Sequence, residues 1–190
     1  MKKSIRALGV DDSVFVPHTR GMVKIVGTVV RAPAYLEGVI LKDIEIDGAD
    51  ATDKIISMFS TRFGKQIRLV FTQGLTFGGF NVVNIKKIHE KTGVPVIAVV
   101  RKKPDMEKIE NALKKHFDDW EKRFEILKEV PLNEVYVNGH KIYAHIVGME
   151  IKDATSVINN FTLRGAMPEP LRYAHIIASA LHFGVSKGKP

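Results

Sequence analysis

The sequence predicts an α/β fold in which helices flank a mixed β-sheet, and three observations lead to this prediction. Between Ala7 and Ile46, three apolar or β-branched runs are joined by short polar turns, which is typical of antiparallel strands. Near Asp50 the apolar period changes from two residues to the spacing of a helix. Beyond it, continuously apolar runs alternate with helical segments, as in parallel strands that are joined by helices.

Three predicted strands open the chain. The first lies around 7–10 and should end where two carboxylates follow one another. The second covers 22–31, which is rich in β-branched residues, and the third covers 36–46. Because the connections between them are short, the three strands should form an antiparallel meander.

The middle of the chain alternates between helices and short apolar strands. A predicted helix begins at Asp50 and stops at Gly64. After it come a strand at 67–71, a glycine-rich loop at 72–79, a helix at 80–91, a strand at 94–100 and a helical region at 104–130 with a break near Asp118-Asp119. Three strands, helix, strand, helix, strand, helix is the order of a ribonuclease H-like fold. In such a sheet the C-terminal ends of the parallel strands share one edge, where ligands bind.

The last third predicts a C-terminal hairpin and two helices. Strands at 134–137 and 141–147 flank Asn138-Gly139, a strong two-residue turn signal. The remaining predicted elements are helices at 153–163 and 170–183 and a frayed tail at 186–190. Since no linker separates this part convincingly, residues 1–190 are expected to form a single domain.

Composition limits the partners and the compartment. A net charge of +8 favours attraction to polyanions such as nucleic acid. The absence of cysteine removes disulfides, thiolate catalysis and cysteine metal sites. No apolar run reaches the length of a membrane span, and the first residues lack the apolar core of an export signal. We therefore expect a cytoplasmic protein with no membrane partner; nothing in the sequence indicates its oligomeric state.

Histidine and serine chemistry receives little support. His175 and His182 lie seven residues apart, hence on one face of the last helix, and we expect them to pack against the hairpin. No histidine spacing suits zinc. Ser13 has no nearby base, so a hydrolase triad is not indicated.

Acidic residues gather near the predicted strand ends. Neighbouring side chains on a strand point to opposite faces, so only one of Asp11 and Asp12 can face a cleft while the other caps the following turn. The alternative is that the pair simply makes a turn. Asp50 is either an ordinary helix cap or a second acid beside Asp11. Glu37 begins the third strand, whose direction could carry it to the far end of the sheet. Carboxylates at the end of a central strand suit a hard cation.

A glycine-rich loop follows the predicted strand at 67–71. Gly74, Gly78 and Gly79 lack the spacing of a P-loop or of a dinucleotide motif. We expect the loop to let the backbone approach a flat or anionic ligand ahead of a helix N-terminus, although a strained turn that needs glycine is the alternative. Asn81 would either cap that helix or face the pocket.

Four segments, in order along nearly the whole chain, resemble an archaeal family known as endonuclease dU, which is similar to endonuclease V. They are GVDDS at 9–13, DGADAT at 47–52, GGFNVVNI at 78–85 and PEPLRYAH at 168–175. The resemblance implies a ribonuclease H-like, endonuclease V-like core that uses acidic residues and Mg²⁺ or Mn²⁺. It also implies that the substrate is DNA with a deaminated base, of the deoxyuridine or deoxyinosine class, in DNA repair.

By its position in the sequence, Asp11 corresponds to the first-strand aspartate of endonuclease V. Asp50 is the best match for the second acidic residue of that enzyme. Tyr35 and Glu37 fall in a Tyr-Leu-Glu-Gly segment that faintly resembles the strand-separating wedge of that enzyme. The glycine loop, with Phe77 or Phe80, would receive an extruded base.

One departure from the family pattern concerns the metal. The aspartate that ends the fourth strand of endonuclease V is replaced here by Gln73, whose amide brings no charge. Asp12, Glu37 or Asp47 would have to compensate. Two hypotheses therefore remain: an endodeoxyribonuclease whose metal is held by Asp11, Asp12, Asp50 and Gln73, and a non-catalytic or weakly active nucleic-acid-binding protein on the same fold.

Overall fold

Seven strands form one mixed sheet in the computed structural model, which describes residues 5–17 and 19–187. Their order is β3-β2-β1-β4-β7-β9-β8, and a separate two-stranded ribbon pairs β5 with β6. The strands are β1 (Arg6–Asp12), β2 (Met22–Arg31), β3 (Tyr35–Glu45), β4 (Ile67–Gln73), β5 (Thr76–Phe77), β6 (Asn81–Val82), β7 (Val96–Val100), β8 (Leu132–Val137) and β9 (His140–Val147). The helices are α1 (Ala51–Ser57), α2 (Ile85–Thr92), α3 (Met106–His116), α4 (Trp120–Lys128), α5 (Ile151–Asn160) and α6 (Glu169–Phe183).

The topology confirms the predicted mixed sheet. β1, β2 and β3 are antiparallel neighbours, while β4 pairs with β1 in parallel and β7 pairs with β4 in parallel. The predicted hairpin, β8 and β9, extends the same sheet, because β9 pairs antiparallel with β7. β1 therefore lies near the middle of the sheet, and the C-terminal ends of β1, β4 and β7 lie along one edge.

Two apolar layers cover the two faces of the sheet. Leu8 and Val10 of β1 belong to the core cluster that also contains residues of α1, α2, α3 and α4. Ala7 belongs to the cluster that contains residues of α5 and α6. Because successive residues of a strand point to opposite faces, β1 contributes to both layers and carries no exposed face.

The helix predicted at 80–91 begins five residues later than expected. Residues 81–82 pair with 76–77 as the β5–β6 ribbon, and α2 starts at Ile85, where Asn84 Oδ1 accepts a hydrogen bond from Lys87 N at 2.8 Å. Gly78 and Gly79 adopt positive φ angles of 52° and 93°, which close the ribbon rather than a helix start. The glycine loop therefore does not lead directly into a helix N-terminus.

The end of the chain is only partly covered by the structure. Residues 1–4 and 188–190, which include the end of the tail predicted to fray, lie outside the described residues. Within the described part, the backbone N–H of Lys187 donates to Ser179 Oγ at 2.8 Å. None of the described helices combines the length and the apolar character that a membrane crossing requires.

Candidate functional site

Asp11 and His175 form a buried pair at the C-terminal end of β1. Asp11 is only 4% exposed, and its Oδ2 accepts a hydrogen bond from His175 Nδ1 at 3.0 Å. Its Oδ1 accepts the backbone N–H of Asp12 at 3.0 Å. The hydrogen bond to Asp11 raises the pKa of His175, and the negative charge of Asp11 acts in the same direction, while partial burial and the nearby Arg101 oppose the shift.

The pair corrects the expectation that His175 packs against the hairpin. α6 instead lies on β1, and its Ala178 carbonyl accepts the Ser13 hydroxyl at 2.8 Å. In the sequence, the signal for His175 was its position at the end of the fourth family-like segment, PEPLRYAH.

Gln73 lies beside Asp11 on the neighbouring strand. Gly9 pairs with Phe71 in the parallel β1–β4 register, so two residues further on Asp11 and Gln73 point to the same face. Oε1 of Gln73 is buried and has no hydrogen-bond partner, and the same is true of Nε2 of His175. Buried polar atoms are nearly always satisfied, so these two atoms are suited to bind a ligand or an ordered water. We call Asp11, Gln73 and His175 the Asp11 cluster.

Asp12 faces the opposite side of the sheet. Its Oδ2 accepts a hydrogen bond from the backbone N–H of Gly78 at 2.6 Å. We had expected the carboxylate to cap the following turn, but its partner is the glycine loop. Burial raises the pKa of Asp12 to about 6; the hydrogen bond from Gly78 lowers it, and the charge of Asp11 raises it further. Asp12 therefore ties the glycine loop to β1 and does not join Asp11 on one face.

Asp50 is held by the segment that precedes α1. Its Oδ1 accepts hydrogen bonds from the backbone of Glu45 at 3.1 Å and from Asn81 Nδ2 at 2.7 Å. It makes no side-chain cap to α1; instead Asn81 Oδ1 accepts the N–H of Ala51 at 3.0 Å. Asn81 thus caps α1 and not the following helix. These contacts do not connect Asp50 to Asp11, and the described residues contain no group of three or more His, Cys, Asp or Glu that could hold a metal.

The three glycines of the loop differ in what surrounds them. A Cβ at Gly78 would press on Val23, and one at Gly79 would overlap the Asp47 carboxylate. Gly74 is different, because nothing lies within 4 Å of a Cβ built there. Only Gly74 therefore leaves space beside it; the other two glycines are required for packing of the loop against the rest of the fold.

Tyr35 and Glu37 lie at the other end of the sheet, which contradicts their assignment to the substrate site. Tyr35 pairs with Arg31, and Arg31 pairs with Arg6 at the beginning of β1. Glu37 accepts from Arg6 Nε at 2.5 Å. The physical reason is strand direction: β3 is parallel to β1, two strands away, so its first residues lie about 17 Å from the level of Asp11.

An apolar cavity of about 330 Å³ opens beside Gly74 between the strand ends and α3 and α4. Phe80 lines it, whereas Phe77 is 1% exposed and belongs to the core. His145 also lines the cavity; its Nδ1 donates to the Val130 carbonyl at 2.7 Å, and burial lowers its pKa. The other lining residues are Gly74, Leu75, Thr76, Val100, Pro104, Met106, Ile109 and Leu127.

Comparison with known proteins gives one consistent result. A family model described as endonuclease dU matches residues 3–182. A "UPF0215 protein" from Methanothermobacter thermautotrophicus is 44% identical over 189 residues, which cover 99% of this chain and 93% of the relative.

Solved structures agree on the fold. The crystal structure of a protein of unknown function from Archaeoglobus fulgidus superimposes with a TM-score of 0.84 at 36% identity, covering 95% of this chain and 99% of that one. A second match is the crystal structure of endonuclease V from Ciona intestinalis in complex with a 24mer DNA containing an inosine followed by a ribo-adenosine. It superimposes with a TM-score of 0.57 at 11% identity, covering 90% of this chain and 83% of that one. The predicted endonuclease V-like fold is therefore confirmed.

Proposed function

Because this chain belongs to the endonuclease dU family, we propose that it is a divalent-metal-dependent endodeoxyribonuclease that cuts DNA near a deaminated base and acts in DNA repair. The substrate class is DNA with deoxyuridine or deoxyinosine. The observation that carries the proposal is the Asp11 cluster, which combines a buried carboxylate with two buried polar atoms that have no partner. It lies at the C-terminal strand ends, where α/β sheets bind their ligands.

Asp11 and Gln73 fit a cation of the Mg²⁺ or Mn²⁺ class. Each carboxylate oxygen of Asp11 has a lone pair beyond the hydrogen bond it already accepts, and Oε1 of Gln73 is an oxygen without a donor. Mg²⁺ is commonly held by one or two carboxylates and completes its shell with water and substrate phosphate. When bound, the cation would supply charge stabilisation at the attacked phosphate and an activated water.

His175 is the proposed proton-handling residue. Asp11 Oδ2 accepts a hydrogen bond from its Nδ1, which keeps the ring oriented. Nε2 then remains free to bind a phosphate oxygen or to give a proton to the oxygen that leaves phosphorus.

Asp12 and Asp50 receive structural roles in this proposal. Asp12 holds Gly78, and Asp50 holds Asn81, so each carboxylate fixes one side of the glycine loop. A correctly placed loop keeps Gly74 in the wall of the apolar cavity.

The cavity beside Gly74 is the proposed site for the extruded base. Its volume lies at the lower limit for small-ligand sites, and Phe80 contributes an aromatic ring to the wall. A deaminated base is mispaired and costs less to unstack than a paired one, which favours its entry.

A non-catalytic nucleic-acid-binding protein is the second candidate, and Gln73 is the observation that favours it. An amide oxygen binds a hard cation more weakly than a carboxylate does, so the metal could be held too weakly for efficient cutting. Both candidates predict that DNA binding weakens with salt.

The two candidates separate in a cleavage assay. End-labelled duplexes that contain one deoxyuridine, one deoxyinosine or no modified base are incubated with the protein and Mg²⁺, Mn²⁺ or chelator. The nuclease predicts a cut in the modified duplexes that requires metal. Binding without a cut under any metal condition would establish the second candidate.

Variants of the Asp11 cluster test the site itself. Asp11→Asn and His175→Gln should each lower the cleavage rate by about 100-fold or more, and both should still fold and bind DNA in chelator. His182→Gln changes an exposed histidine on the same helix and is the matched control. A folded Asp11→Asn variant that cuts as fast as the parent would exclude this site.

A further inference from the structure

A basic groove leads away from the Asp11 cluster toward the hairpin turn. Two adjoining cavities of about 370 and 330 Å³ share Arg101 and Met167 as walls, and the first of them begins at Gln73 and Gly74. We call this path the arginine groove. Its basic side chains are Arg101, Lys102, Lys141, Arg164 and Arg172, together with His140. Among the residues that the structure describes, no acidic side chain lines either cavity.

The positive charge of the groove is only partly neutralised. Arg172 forms an ion pair with the buried carboxylate of Glu169, with 2.7 Å between Nε and Oε2. Lys141 forms a second ion pair with Glu134, with 3.4 Å between Nζ and Oε1. Arg101 and Arg164, in contrast, have no acidic partner among the described residues. Two arginines without a counter-charge in one concave surface make a site for anions, because the guanidinium fork matches phosphate oxygens.

The loop that carries Arg164 is held in place before any ligand binds. Asn138, in the hairpin turn, donates from Nδ2 to the Gly165 carbonyl at 3.1 Å. Its backbone N–H reaches Asn159 Oδ1 at 3.4 Å, which ties the turn to α5. A loop whose backbone is already held loses less entropy when a ligand binds than a free loop does.

Gly74 lies where the arginine groove meets the apolar cavity, since it lines both. The two spaces differ in chemistry: the groove is cationic, and the cavity is apolar with one aromatic wall. A nucleotide has the same division, with an anionic phosphate and a flat, largely apolar base.

We propose that the arginine groove binds consecutive backbone phosphates of one DNA strand, on one side of the position where its base enters the apolar cavity. This inference rests on the proposed function, because it takes nucleic acid as the ligand, but it does not require that the strand be cut. Arg101 and Arg164 make the phosphate contacts, and Gly74 allows the strand to pass between the two spaces.

The test measures binding without metal, so that a failure to cut DNA leaves it unaffected. The affinity of the full chain for an unmodified fluorescent single strand is measured in chelator over a series of salt concentrations. Arg101→Ala and Arg164→Ala should each reduce the slope of log affinity against log salt by about 0.7 to 1, the value for one lost phosphate contact. Arg62→Ala is the matched control; Arg62 is exposed and precedes Phe63, which packs on Gly38 toward the opposite end of the sheet.

Three results would overturn the proposal. The groove is not the strand path if both arginine variants keep the slope of the parent, or if Arg62→Ala reduces it equally. Inorganic phosphate at matched ionic strength provides the second arm. If Arg164→Ala abolishes binding of inorganic phosphate but leaves the affinity and the salt slope for DNA as in the parent, the groove is a free-phosphate site and the assignment to a strand is wrong.

Discussion

Gly9 of β1 lies directly against Pro170 of α6, so closely that a Cβ at position 9 would overlap the Pro170 backbone. The buried hydroxyl of Thr28 donates to the Pro170 carbonyl at 2.7 Å and fixes the same point. From this contact β1 continues two residues to Asp11, and α6 continues five residues to His175. The close approach at Gly9 therefore determines how near the helix carries His175 to the carboxylate.

We predict that Gly9→Ala lowers the free energy of unfolding by about 1 to 3 kcal/mol, because α6 must move away from β1 to admit the methyl group. Chemical denaturation measures the change. NMR signals of the His175 ring should shift as well, since its distance to Asp11 changes. Gly93→Ala is the control: Gly93 also needs glycine, with φ of 70°, but nothing lies within 4 Å of a Cβ there. It should cost about 1 kcal/mol of backbone strain and leave the His175 signals in place. A Gly9→Ala protein as stable as the parent would contradict the argument.

Most of the sheet was predictable because strand patterns are local. Residues 22–31 were predicted from their own composition, and the order of elements then set the parallel neighbours of β1. The Asp11 cluster was only half predictable. The position of Gln73 beside Asp11 could be predicted from the strand order. His175 is 164 residues from Asp11, and no local sequence pattern predicts which turn of α6 packs on which residue of β1. Asp50 was expected in the same site because it also follows a strand end, but its own hydrogen bonds direct it to Asn81.

His145 should make the stability of the protein depend on pH. Burial lowers its pKa, so below its ordinary value of about 6.5 the unfolded chain binds a proton that the folded chain excludes. The free energy of unfolding therefore falls as the pH is lowered from neutral toward the depressed pKa. His145→Gln should show a smaller fall between about pH 7.5 and pH 5 than the parent in urea titrations. His182→Gln changes an exposed position, and its free energy of unfolding should fall as much over this pH range as that of the parent. An unchanged pH dependence in His145→Gln would refute this.

Asn81 and Asp50 should separate a structural role from a catalytic one. Asn81 is fully buried and bonds to Glu45, Ala51 and Asp50, so Asn81→Ala should cost at least about 2 kcal/mol of stability. Asn84→Ala, which removes the cap of α2 and one exposed hydrogen bond to Glu129, should cost about 1 kcal/mol.

Asp50→Asn keeps a side-chain oxygen that can accept the hydrogen bonds from the Glu45 backbone and from Asn81. If the role of Asp50 is structural, this variant should be as stable as the parent and should cut DNA at a rate within about threefold of the parent. Loss of cleavage comparable to that of Asp11→Asn, in a protein that melts at the parent temperature, would instead make Asp50 a metal ligand.

Gln73→Asp tests the chemistry of the Asp11 cluster most directly. Oε1 of Gln73 is buried without a partner on the same face as Asp11, so a carboxylate at this position adds a second charged oxygen for a hard cation. The Mg²⁺ concentration for half-maximal cleavage should fall by about tenfold, which corresponds to 1.4 kcal/mol of metal binding. Repulsion from Asp11 should lower the melting temperature in chelator, and added metal should restore it. The control is Gln66→Asp, which adds the same charge at an exposed position before β4, near the opposite end of the sheet. If Gln73→Asp neither tightens the metal requirement nor makes stability depend on metal, Gln73 does not face the cation, and the two orphaned atoms of the cluster must serve the substrate directly.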